Sequence, residues 1–143
     1  GKLFWETYKE NKKFLRLGFF DGNEKSGEVI KYLDNSLSNF LIDIIKMDNM
    51  KKTVIFLVSG QVVGKTGLLF GHDYSLENHS GTFFILTNVK YENKNIRDNQ
   101  QNFVTSYDIY NTLIDLCYNF NKNEADKYKN ENGKSVFEYI NGN

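Results

Sequence analysis

The chain contains no proline and a single cysteine, Cys117, among its 143 residues. One cysteine excludes an internal disulfide and leaves the compartment open. Net charge is also absent, because 18 basic residues balance 18 acidic ones. Long-range attraction to nucleic acid or to an anionic membrane needs a basic patch or stripe, and none is seen. No apolar run approaches the roughly 20 residues of a membrane-spanning helix. No signal peptide is visible, and the first residue is Gly1 rather than methionine, which fits a processed chain or a piece of a longer one. Arginine is nearly missing, with two against 16 lysines, while asparagine reaches 19. This usage reads as genome composition rather than function.

What is present suffices for a core. Hydrophobic residues make up 40% of the chain, including 12 Phe, 9 Tyr and one Trp. The length is that of one domain or part of one. The central stretch is Val54 to Val58, five apolar residues in an unbroken run, followed by Ser59, Gly60 and Gln61. Such a run fits a strand buried on both faces, as in a parallel sheet under helices. Ligands of open α/β sheets sit just past the carboxyl ends of such strands. That places Ser59, Gly60 and Gln61, three chemically quiet residues, where an active site is expected.

Taken in order, residues 1–13 read as an amphipathic lead-in, and Phe14 to Phe20 as a strand in which Gly18 suggests a close backbone approach. Asp21-Gly22-Asn23-Glu24 is a turn sequence. Ser26 is a suitable N-cap and Glu28 suits a helix N-terminus. From there Val29, Ile30, Leu33, Leu37, Phe40, Leu41, Ile44 and Ile45 form one helical stripe of the kind that packs on a sheet. Strand, helix, strand predicts a right-handed parallel crossover. Thr82 to Thr87 reads as a second short strand. Residues 88–102 and 119–132 are polar and read as surface loops. Thr105 to Asp108 resembles a capping box with Asp at its third helical position. Ile109, Leu113, Ile114, Leu116 and Cys117 predict the buried face of the helix that follows, with Cys117 as a small core residue. Ser135 to Ile140 reads as a last short helical or docking element.

Four groups of residues carry possible chemistry. Gly60-Gln61-Val62-Val63-Gly64-Lys65-Thr66 follows a strand as a phosphate-binding loop does, with Lys65 and Thr66 as the nucleotide-binding pair. The spacing is one residue short, and Gly67 to Gly71 leaves no room for the helix that completes such an anion site. His72, Asp73, Glu77 and His79 are proper ligand types for zinc or a similar ion, at no recognised spacing. Asp21 and Glu24 could serve as an acid/base pair or simply form the turn. Asn78-His79-Ser80 is a glycosylation acceptor pattern, meaningful only in a secreted chain. The aromatics lack the basic interleaving of a nucleic-acid surface.

Several segments, in order over most of residues 4–140, resemble the C-terminal half of sulfatase-like proteins of the alkaline phosphatase superfamily, closest to a eukaryotic branch of unknown function. They are Phe14-Leu15-Arg16-Leu17 with Asp21-Gly22-Asn23-Glu24, then Gly27 to Asp34, Val54 to Gly60, His79-Ser80 with Phe83 to Leu86, Ser106 to Leu113, and Gly133 to Phe137. The resemblance implies an α/β fold: a partial, mainly parallel sheet with helices on both faces, spanning residues 1–143 as one partial domain. It implies hydrolysis of sulfate or phosphate esters with a divalent metal, and a missing N-terminal half that supplies the nucleophile and the first metal-binding carboxylates. It also implies a secreted or membrane-associated setting. In that family an Asp-His-Gly tripeptide binds metal straight after the buried strand. The Asp position is Gly60 here and the His position is Gln61. The family's Asp-Gly-His-Glu loop reads Asp21-Gly22-Asn23-Glu24, so a further His position is Asn23. Asp21, Glu24 and His79 survive, and the usual prolines near Thr82 and Asn111 are gone.

Glycine has no ligand atom and glutamine offers only a neutral amide, a poor replacement for imidazole. The losses predict no resident metal and no catalytic residues, hence an inactive relative whose role is structural or in binding. An incomplete half-domain exposes a sheet edge and apolar helix faces, so the expected partner is the missing N-terminal half or other protein subunits. The alternatives are a working ester hydrolase with the shifted ligand set Asp21, His72, Asp73 and His79, and nucleotide binding at Gly64-Lys65-Thr66.

Overall fold

A computed structural model describes residues 1–19, 28–48, 53–59, 81–87 and 94–140. The chain divides into two units, Gly1–Lys90 and Tyr91–Asn143.

In the first unit, α1 (Lys2–Thr7) buries none of its residues. It packs against α2 (Ile30–Asp48). The approach is close: a Cβ on Gly1 would lie 2.9 Å from the Phe40 ring. Lys2 Nζ also donates to Asp43 Oδ2 over 2.8 Å, an exposed pair worth little by itself. The stripe predicted for α2 is present from Leu33 to Ile45, whereas Val29 precedes the helix and is exposed. Ile44 is buried, and Leu33, Leu37, Phe40, Leu41 and Ile45 are half-buried. The strand expected over Phe14 to Phe20 is not formed within the described residues, since 14–19 carry neither strand nor helix and Phe14 and Phe19 are exposed. Gly18 interrupts a run that has no strand partner among the described residues, and glycine weakens a strand. The predicted strand, helix, strand crossover therefore lacks its first strand among the described residues.

Strands β1 (Ile55–Val58) and β2 (Phe83–Leu86) pair antiparallel, with Ile55 opposite Leu86 and Val58 opposite Phe83. The rings of Phe56 and Phe83 lie 5.9 Å apart and nearly parallel, a diagonal cross-strand contact on one face. Burial on both faces is not observed. Val58 is 56% exposed and Phe84 59% exposed. An apolar run looks the same whether one face is covered or two, and here each strand has an open position.

The second unit is built differently. Within it, α3 (Lys94–Asp98) runs into a tight turn, Asn99–Gln101, so the described part of the loop expected over 88–102 carries helical structure. Next come α4 (Ser106–Cys117) and the short α5 (Lys122–Ala125). The predicted capping box is present. Thr105 accepts from the Asp108 amide, and the Asp108 carboxylate accepts from the Thr105 amide at 2.7 Å. Asn119 and Phe120 end this region with φ of 50° and 60°. Two left-handed non-glycine residues in succession are costly. Phe120 N donating to Asp115 O and the Phe120 ring set edge-on to buried Phe137 offset that cost.

The buried face of α4 is polar, contrary to the apolar stripe predicted for it. Asp108, Asn111, Thr112 and Asp115 are its buried residues, while Cys117 is exposed and not a core residue. The reason lies in what covers the helix. Residues 129–140 run without regular structure, so their backbone groups have no ladder and need side-chain partners. Asn111 Nδ2 donates to Asn130 O and Gly133 O, and Asn111 Oδ1 accepts from Asn130 N. Asp108 Oδ1 accepts from Lys134 N, and Thr112 Oγ1 accepts from Val136 N while donating to Asp108 O. From the other side, Asn95 donates to Phe137 O. Asn99 donates to Val136 O and Glu138 O and accepts from Ile140 N. Asn102 donates to Ile140 O. Within this clasp Val136, Phe137, Ile140 and Ala125 form a small apolar core. Ser135 to Ile140 thus docks without forming a helix. Among the described residues, no buried side-chain nitrogen or oxygen lacks a partner. Gly133 is needed for the approach, because a Cβ there would fall 2.5 Å from the Tyr107 backbone.

At the edge of the clasp, Lys129 Nζ lies 2.8 Å from Asp115, 3.3 Å from Glu138 and 3.4 Å from Asp126. Burial alone would lower its pKa, but hydrogen bonds and charge attraction from Asp115 and Glu138 outweigh this and hold it above the ordinary lysine value.

Two predictions follow from these contacts. Asn111→Ala strands three part-buried backbone groups and costs about 3 kcal/mol. Gly133→Ala forces a backbone shift worth about 2 kcal/mol. Both are read as lower urea midpoints of the whole chain, with exposed Asn132→Ala as the neutral reference, within about 0.5 kcal/mol. For Lys129, a folded-state pKa above the unfolded one gives stability that is complete below about pH 10 and lost as pH rises through the folded value. Lys129→Met therefore flattens the alkaline loss of stability. It also lowers neutral stability by about 3 kcal/mol, because the buried Asp115 carboxylate loses its cation. Urea titrations across pH check both effects.

Candidate functional site

The candidate site stands at the carboxyl end of β1. Val58 opposes Phe83, and the pairing continues for one further step. Ser59 N donates to Thr82 O over 2.8 Å, and Thr82 N donates to Ser59 Oγ over 2.6 Å. In a regular hydrogen-bonded antiparallel pair the second bond goes to the opposing backbone carbonyl. Here the serine hydroxyl accepts it instead. The side chain thus closes the ladder at the point where the chain leaves β1 and enters β2. Both residues are exposed, so the junction sits at the surface of its unit.

The antiparallel pairing has a consequence for the candidate residues. The carboxyl end of β1 lies beside the amino end of β2, so residues 60–80 leave and return at one place. Gly60 and Gln61 follow Ser59 directly, and His79 precedes Thr82 by three positions. Lys65, Thr66, His72, Asp73 and Glu77 belong to the same connection. All of these lie outside the described residues, as do Asp21, Asn23 and Glu24. Of the residues expected at the strand end, Ser59 alone is described, and its hydroxyl oxygen is engaged in holding the backbone.

Three carboxylates of the second unit gather around a lysine. Asp115, Asp126 and Glu138 surround Lys129, whose ammonium occupies the centre that a cation would take. Among the described residues, no group of three or more His, Cys, Asp or Glu is arranged to hold a metal. No described helix is long and apolar enough to cross a membrane.

The polar stripes of the second unit were not foreseen, although their spacing is visible. Asp108, Asn111, Thr112 and Asp115 recur at the steps of one helix face, and so do Asn95, Asn99 and Asn102. Polar residues at such steps are ordinarily a solvated face.

Ser59→Ala removes the acceptor for Thr82 N and loosens the strand end. The expected cost is about 1 kcal/mol, read as faster hydrogen exchange at the Thr82 amide with little change at Ile85. Comparison with known protein families, with curated proteins and with solved structures finds no match to this chain.

Proposed function

We propose that this chain is a catalytically inactive sulfatase- or phosphatase-like domain fragment, with a structural or interaction role inside a larger protein or assembly. The observation that carries the proposal is the residue set at the end of β1. The positions that would deliver Asp and His to a metal are Gly60 and Gln61, and Asn23 replaces a further His. Loss of two ligands from one ion abolishes tight binding, and metal activation of a nucleophile or ester goes with it.

Two features of the described residues support this reading. The Ser59 hydroxyl is committed to Thr82, as a structural rather than a reactive group is. The buried polar side chains of the second unit are all partnered within it: Asp115 by Lys129, and Asp108, Asn99, Asn111 and Thr112 by backbone groups. In this reading β1 and β2 are an antiparallel margin of a larger, mainly parallel sheet with helices on both faces. Parallel sheets commonly carry such an antiparallel edge. The missing N-terminal half or other subunits would complete that sheet.

The test uses the full-length protein. After dialysis against zinc, calcium or magnesium it retains no stoichiometric metal, and it turns over neither aryl sulfate nor aryl phosphate. Restoring the ligands with Asn23→His, Gly60→Asp and Gln61→His together raises divalent metal affinity. Stoichiometric metal in the natural sequence, with turnover lost in His79→Ala, would establish the shifted-ligand hydrolase through Asp21, His72, Asp73 and His79 instead. ATP or GTP affinity removed by Lys65→Ala would establish nucleotide binding at Lys65 and Thr66.

A further inference from the structure

Independently of that reading, the second unit holds two tyrosines side by side. The rings of Tyr118 and Tyr128 lie 5.3 Å apart at an angle of 7°. Parallel rings in van der Waals contact are about 3.5 Å apart, so this centroid distance means displaced rings with their edges adjacent. Both backbones are fixed. Tyr118 N donates to Ile114 O at the end of α4, and Tyr128 N donates to Ala125 O at the end of α5. Tyr110 Oη donates to Tyr128 O over 3.2 Å and ties the second tyrosine to α4. The pair is open to solvent, with Tyr128 52% exposed and Tyr118 half-buried. Partial desolvation, and then the Tyr128 phenol beside it, hold the Tyr118 pKa above the ordinary tyrosine value.

We propose that Tyr118 and Tyr128 form an oxidative cross-linking site, at which a one-electron oxidant of the haem peroxidase class joins the two rings as dityrosine. Each phenol gives up one electron and one proton, leaving two phenoxyl radicals. A carbon–carbon bond then forms between the ring positions ortho to the hydroxyls. The two ring hydrogens displaced at that bond move to the oxygens and restore both phenols. The peroxidase passes the two electrons and two protons to hydrogen peroxide, which becomes two waters. The chain loses two hydrogens in all. Fixed, adjacent rings convert the radical encounter into an intramolecular step, which outcompetes coupling between dilute chains. The product bridges the end of α4 to the turn after α5 and restrains residues 119–127 in the unfolded chain, as other covalent links across a loop do.

The test treats the full chain, at dilute concentration, with a haem peroxidase and hydrogen peroxide. The expected product is monomeric, lighter by two hydrogens, fluorescent as dityrosine, and yields one cross-linked peptide joining Tyr118 to Tyr128. Tyr118→Phe and Tyr128→Phe keep the stacked rings but lose the monomeric product. Tyr32→Phe and Tyr139→Phe, at equally or more exposed positions, retain it. Urea added before oxidation removes the preference for the pair. Cross-links spread over other tyrosines of the folded chain, dimers as the sole product, or a monomeric product that survives in Tyr128→Phe would overturn the proposal.

Discussion

The second unit depends on one constraint: the backbone of residues 129–140 has no regular partner, yet much of it is buried. Every such amide and carbonyl must be bonded or pay for its lost hydration. Asparagine is well suited to the task, since its side chain carries both a donor and an acceptor at amide geometry. Asn99 and Asn111 each bond to three backbone groups of the segment. Asp108 and Thr112 complete the line along α4. Because these bonds share one short segment, their contributions are coupled, and losing one weakens the geometry of the rest.

The same device recurs at the end of β1, where the Ser59 hydroxyl accepts the bond that a carbonyl would take. In both places a side chain finishes what secondary structure leaves open. This bears on function through what it consumes. A hydroxyl or carboxylate whose atoms are engaged with backbone is not poised for chemistry, and the neighbouring Gly60 and Gln61 bring little reactivity of their own. The described part of the candidate site is thus a pinned strand junction. The Tyr118–Tyr128 pair differs, in that Tyr128 is exposed, Tyr118 is half-buried, and their nearly parallel rings lie 5.3 Å apart.

Some of this organisation was legible beforehand because it is local. The stripe of α2 from Leu33 to Ile45, the capping box at Thr105 and Asp108, and the two short apolar strands depend on residues a few positions apart. The abundance of asparagine was read as composition. For Asn95, Asn99, Asn102 and Asn111 it is also structural, which only their distant partners make plain. The strand expected over Phe14 to Phe20 is not formed over the described residues 14–19 for a related reason. A strand is stable only when paired, and pairing is not written in the run itself.

By itself, then, the sequence determined which residues share a helix face, where α4 begins, and that no disulfide can form within these 143 residues. The tertiary structure alone decided which face is turned inward. Periodicity groups side chains without saying what lies opposite them, so the polar face of α4 is buried and Cys117 is exposed because an irregular segment, rather than a sheet, covers the helix. It also decided that β1 and β2 run antiparallel, which brings the two ends of the candidate connection to one junction. These outcomes rest on contacts between residues far apart in the chain, and no local pattern encodes them.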